Sequence, residues 1–134
     1  MTKGKGDVEA TVGGLKEAVR EFSERRDWDQ FHNAKDLAIG ITTEAAELLE
    51  MLRFKSEKEV EELMRDKAAR REVERELADV LFFVLRTAQR YDIDLASALE
   101  DKLKLNASRY PVSKAKGSNR KYNERWKGGL GKDR

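Results

Sequence analysis

Four carboxylates stand out by type and spacing. Glu44 and Glu47 lie three residues apart, and so do Glu76 and Asp79. Both pairs fall in segments whose apolar periodicity predicts helix, and residues at i and i+3 share one helix face. Ile41, Leu48 and Met51 border the first pair, and Val73, Val80 and Phe83 border the second. A carboxylate beside a core stripe loses hydration, which is costly unless a partner compensates it. Two such pairs facing each other make an oxygen cage for a hard divalent cation. One pair alone would read as a solvated charge pair on a Glu-rich surface. The run Glu76-Leu77-Ala78-Asp79-Val80-Leu81-Phe82-Phe83 argues against that, because its carboxylates adjoin the most hydrophobic stretch of the chain.

Ligand chemistry narrows the metal. Di-iron bundle sites use Glu-x-x-His pairs, and the single histidine, His32, lies outside both helices. The chain has no cysteine, hence no thiolate site, thiol nucleophile or disulfide. An all-carboxylate set suits Mg²⁺, with Mn²⁺ as the alternative, rather than zinc or copper. Mg²⁺ keeps positions open for water and phosphate oxygens, which points to a phosphorylated substrate.

The elements that must position these groups are helical. Charged residues make up 40% of the 134, hydrophobic residues 39%, and Pro111 is the one proline; this is the composition of a single helical domain. Leu15, Val19 and Phe22 predict a first helix over 10–27, followed by an aromatic turn at 26–32. Leu37, Ile41, Ala45, Leu48 and Leu52 form the stripe of a second helix from Lys35 to Phe54. Gly40 interrupts that stripe at a cost of about 1 kcal/mol, a position where close packing would justify it. Ser56 and Glu59 form a capping-box pattern. Residues 57–76 read as an exposed helical stretch running into Val80–Leu85, which is apolar all round and must be enclosed. Asp92 and Asp94 mark a stop and a new N-cap, and a further helix spans Leu95–Arg109 until Pro111 ends it. The expected organisation is a flexible N-terminus over 1–9, a helical domain over 10–111 and a basic tail over 112–134.

Charge is unevenly divided. Residues 1–101 hold 17 Lys+Arg against 24 Asp+Glu, and residues 102–134 hold 11 against 2. A basic C-terminal segment on an acidic body suits a polyanion such as nucleotide phosphates, nucleic acid or an acidic lipid surface. No apolar run approaches the roughly 20 residues of a membrane span, and Met1 to Asp7 lacks an apolar signal core. A cytoplasmic protein with no membrane partner is expected.

Several of these segments together resemble a known family. Arg26-Asp27-Trp28-Asp29-Gln30-Phe31-His32, Glu44-Ala45-Ala46-Glu47, Glu76-Leu77-Ala78-Asp79-Val80, Asn106, Arg109-Tyr110-Pro111 and Ser118-Asn119-Arg120-Lys121-Tyr122 occur in the order seen in the MazG-like all-α nucleoside triphosphate pyrophosphohydrolases, with most likeness to their dCTP pyrophosphatase branch. The likeness covers roughly residues 15–123. It implies a four-helix bundle completed by homo-oligomerisation as a dimer or tetramer. It implies Mg²⁺ ligation by Glu44, Glu47, Glu76 and Asp79, and hydrolysis between the α and β phosphates. The segment Trp28, Asp29, Gln30, Phe31, His32 is similar to the base-side binding segment of that family. Phe54 stands where the branch has a tryptophan facing the base, Phe83 where it has a tyrosine, and Val19 where it has a histidine.

Chemistry can then be assigned to particular groups. Glu47 is the first choice to orient or deprotonate the attacking water. Lys102 and Asn106 share a helix face at i,i+4, Arg109 and Tyr110 follow, and Arg120 and Lys121 lie beyond; these would grip a triphosphate. Each also has a plainer reading: Lys102 as a solvated lysine, Arg120 and Lys121 as a disordered tail, Trp28 and Phe31 as core, His32 as a helix-start residue. Two rival functions remain. One is a nucleic-acid-binding module that uses the basic segment and leaves the carboxylate pairs unexplained, so nucleic acid is not the expected partner. The other is a helical interaction protein with a vestigial metal site.

Overall fold

The computed structural model describes residues 4–121. Among these there are seven α-helices and no strand. They fall into two units, divided between Ile93 and Asp94.

The first unit contains α1 (Gly6–Glu9), α2 (Val12–Glu24), α3 (Ala34–Leu52), α4 (Glu57–Arg65) and α5 (Lys67–Arg90). Caps fix where the helices begin. Thr11 accepts from the Gly14 amide before α2, and Asn33 accepts from the Asp36 amide before α3. Ser56 and Glu59 close the reciprocal box that opens α4.

The 24-residue α5 is the central element, with α2, α3 and α4 packed along it. Gly40 explains how closely α3 approaches: a Cβ there would meet the Phe83 ring at 2.7 Å. The glycine's helix cost is thus offset by an aromatic ring seated on the α3 backbone. Leu37, Val73, Leu85 and Ala88 are the fully buried apolar residues of this core.

The second unit contains α6 (Leu95–Arg109), which Asp94 caps by accepting from the Ser97 amide, and the single turn α7 (Val112–Ala115) after Pro111. Tyr122, Trp126 and most of the expected basic tail lie outside the described residues.

Three expectations need correction. The stretch 57–90 is two helices, because Asp66 ends α4 and its carboxylate accepts from the Ala69 amide at 2.9 Å to start α5. The second long helix stops at Leu52, so Phe54 sits beyond it in the left-handed region, at φ 64°. The run Val80–Leu85 is only partly enclosed by its own chain. Leu85 is buried, but Leu81 is 47% exposed and joins Leu77, also half exposed, in an open i,i+4 row. Ile39 and Leu49 on α3 are likewise exposed. No helix among the described residues is long and apolar enough to cross a membrane.

Candidate active site

The close approach of α3 and α5 brings acidic side chains together. Glu44 and Glu47 lie on α3, one turn apart, and Glu76 lies on α5. Each offers a carboxylate oxygen, and the three oxygens lie within 4.8 Å of one another. Glu44 Oε2 and Glu76 Oε2 are buried without a hydrogen-bond partner. Glu44 is held protonated to an unusual degree: loss of hydration, then Glu47 beside it, then the charge of Asp79 push its pKa up to about 7. Glu76 is also pushed up, first by loss of hydration and then by the Glu47 charge. Asp79, one turn after Glu76 on α5, stands outside the trio and adds its charge to both.

This arrangement fits a divalent cation. Orphaned buried oxygens and mutually raised carboxyls are the signature of a site whose countercharge comes from a bound ion. Beside the trio is an open depression of about 340 Å³ lined by Glu47, Glu50, Met51, Glu72 and Glu76. So acidic a wall repels phosphate unless a cation stands between them.

A second cluster surrounds the turn Asp29–Phe31. Trp28 stacks edge-on against Phe22 and His32, with centroids 5.6 and 5.9 Å apart. Phe82 lies edge-on to Phe22, His32 and Phe83. Asp29 is ion-paired with Arg86 and, at 3.8 Å, with Arg90. Gln30 donates to the Asp27 carbonyl at 2.9 Å, and Phe31 is largely exposed. Phe54 is 95% exposed beside the Arg53 guanidinium. Phe83 is tied into α3 packing through Gly40.

In the second unit, Lys102 and Asn106 lie one turn apart on α6, with Arg109 at its last residue and Tyr110 as its C-cap. Arg120 and Lys121 end the described chain.

The residue that sequence reasoning passed over is Arg86. It is fully buried, bonds to His32, Asp29 and Gln89, and ties the aromatic turn to α5. The signal was present: an arginine between Leu85 and Ala88, inside an apolar run, must have partners waiting for it.

Residues 39–124 match the MazG-like family, and the chain belongs to that family. It is an enzyme, a nucleoside triphosphate pyrophosphatase by class. It is 33% identical over 125 residues to dCTP pyrophosphatase 1 of Homo sapiens, spanning 93% of this chain and 74% of that protein. The Rattus norvegicus dCTP pyrophosphatase 1 is 34% identical over 122 residues, spanning 91% and 72%. A crystal structure of a pyrophosphatase from Archaeoglobus fulgidus superposes with a TM-score of 0.69 at 32% identity, covering 83% of this chain and 98% of that one.

Proposed function

We propose that the protein is a Mg²⁺-dependent pyrophosphohydrolase that cuts a (d)NTP between the α and β phosphates, releasing the monophosphate and pyrophosphate. The substrate we assign is dCTP or a dCTP modified on its base. The observation that carries this reading is the convergence of Glu44, Glu47 and Glu76 with two orphaned oxygens on packed helices. Glu44, Glu47 and Glu76 would hold the ion, with Asp79, one turn on from Glu76, completing the four-carboxylate set that the family resemblance implies. Bound there, Mg²⁺ would supply positive charge against the phosphate chain and make the attacking water more acidic. Glu47, which lines the open depression, orients the attacking water and accepts its proton. On the family resemblance we assign Lys102, Asn106, Arg109, Tyr110, Arg120 and Lys121 as the donors to the triphosphate.

The base belongs with the aromatic cluster. Trp28 offers a ring face there, with Asp29, Gln30, Phe31 and His32 following it in the chain, and we assign Phe54 and Phe83 to the base as well. The dCTP assignment leans on the relatives' names and on the RDWDQFH segment. The open row of Leu77 and Leu81, and the exposed Ile39 and Leu49, support homo-oligomerisation, since a second copy would take their apolar surface out of water.

The test is a panel of canonical and modified (d)NTPs with Mg²⁺, assayed for monophosphate and pyrophosphate. Product is expected with dCTP or a modified dCTP, and its loss on adding chelator. Orthophosphate with diphosphate would show the wrong bond being cut. No turnover on any nucleotide defeats the proposal.

A further inference from the structure

Arg86 has no place in the chemistry above, yet it is among the most completely buried side chains of the described residues. A buried guanidinium is retained only where its donors are matched. Here Nε donates to His32 Nδ1 at 2.8 Å, and the two terminal nitrogens reach Gln89 and Asp29. Arg90 adds a bond to the His32 carbonyl at 3.3 Å. Two arginines one turn apart on α5 therefore clamp both ends of the segment from Asp29 to His32.

The bond to His32 carries chemical information. A guanidinium keeps its protons throughout the working pH range, so the ring nitrogen facing it must accept. Nδ1 is therefore bare, and the single ring proton of the neutral imidazole sits on Nε2. Nε2 itself makes no hydrogen bond among the described residues. The ring stands edge-on to Trp28 and Phe82. Phe82, with Ala18, Val19 and Phe22, lines an open apolar recess of about 220 Å³. His32 itself does not line this recess, but its ring stands edge-on to Phe82, which does; an aromatic recess one ring away from an N–H donor suits a flat heterocycle with an acceptor on its edge.

We propose that Arg86 is a positioning residue: it fixes His32 as the Nε2–H tautomer, so that the aromatic cluster presents one N–H donor to a carbonyl oxygen or bare ring nitrogen of the substrate base. This rests on the nucleotide reading above. Loss of hydration, followed by the Arg86 charge, lowers the His32 pKa, which keeps the ring neutral against the opposing pull of Asp29. Arg86 touches no reacting atom, so its effect falls on substrate affinity.

His32 is the only histidine, so ¹⁵N-histidine labelling of the full chain gives an unambiguous ring spectrum. The wild type should show a protonated Nε2 and a bare Nδ1. A protonated Nδ1, or an average over both tautomers, overturns the proposal without any variant. Arg86→Met should release the tautomer and raise KM for dCTP about tenfold, the value of one hydrogen bond, with kcat within threefold. Arg86→Lys, which keeps a donor, should recover part of the loss. A variant that merely misfolds loses kcat at unchanged KM, and that outcome, like a tautomer that survives in Arg86→Met, counts against the proposal. Adding Mg²⁺ with the α,β-imido analogue of dCTP should shift the Nε2–H resonance. If Glu44 and Glu47 amides move and the His32 ring does not, the donor role is refuted. If the tautomer is as stated but no nucleotide binds or turns over, the nucleotide reading and the donor role fall together, and Arg86 is left holding the tautomer alone.

Discussion

Removing the metal should make the folded state sensitive to pH in a direction opposite to ordinary acid denaturation. Glu44 has its carboxyl pKa raised from 4.5 to about 7 in the folded chain. Below pH 4.5 both folded and unfolded states carry the proton, and the site costs nothing. Between these values the unfolded chain gives up the proton while the fold retains it, so stability falls as pH rises, until the folded pKa is passed. The gap of about 2.5 units corresponds to about 3 kcal/mol at 1.36 kcal/mol per unit. Partial solvent access reduces this to about 2 kcal/mol. Unfolding entropy near 2.1 cal/mol/K per residue then gives a drop of about 7 °C in Tm for a chain of this length. Glu76 titrates in the same direction, and His32 in the opposite one. The variant Glu44→Gln isolates the Glu44 part, since it cannot ionise and the other groups remain. The assay is calorimetry in chelator at pH 5 and pH 8, at one protein concentration, then with Mg²⁺ at pH 8. We expect Glu44→Gln to melt only about 2 °C above the wild type at pH 5 and about 7 °C above it at pH 8. Mg²⁺ should stabilise the wild type at pH 8 far more than the variant. Equal differences at both pH values, or a wild type more stable than Glu44→Gln at pH 8 without metal, would refute the crowded-carboxylate argument.

Other perturbations follow from the same structure. Glu47→Gln keeps the shape of the site and should reduce kcat at least about a hundredfold, with Tm within a few degrees of wild type by calorimetry. Gly40→Ala drives a methyl group into the Phe83 ring and should cost about 1–2 kcal/mol after the gain in helix propensity, read as a lower midpoint in urea. Phe54→Gly relieves the left-handed backbone by about 1 kcal/mol, so it should raise Tm slightly while raising KM for the nucleotide. Leu81→Lys should shift the mass measured by light scattering from oligomer to monomer, and an unchanged mass would remove the apolar row from the interface.

Much of the fold was legible because local rules and packing agree. The box at Ser56 and Glu59, the cap at Asp94 and the stop at Pro111 each act within a few residues, so periodicity and capping chemistry locate them. Glu44, Glu47 and Glu76 were legible for a different reason, since carboxylates beside an apolar stripe need a compensating partner. The break at Asp66 was missed because it sits among Arg65, Lys67 and Glu62, where any aspartate reads as one more surface charge. Only its bond to Ala69 reveals it as a cap. Phe54 was placed inside a helix because its neighbours continue the pattern, and no local signal announces a phenylalanine at positive φ.

Arg86 shows where reading by period reaches its end. Helix periodicity assigns Val80, Phe83, Val84 and Ala88 to interior positions and leaves an arginine among them as a contradiction. Resolving it requires knowing that Asp29 and His32, more than fifty residues away in the chain, arrive at the same point. No local propensity encodes that meeting; it follows only once α2 and the turn after it are laid against α5. The aromatic turn is thus held by a long-range ion pair and a directed ring bond, while the carboxylate trio is held by one close helix–helix contact at Gly40. Both depend on α5, so changes along α5 will be felt in the aromatic turn and the carboxylate trio together, and changes confined to Trp28 or Glu44 will separate the two.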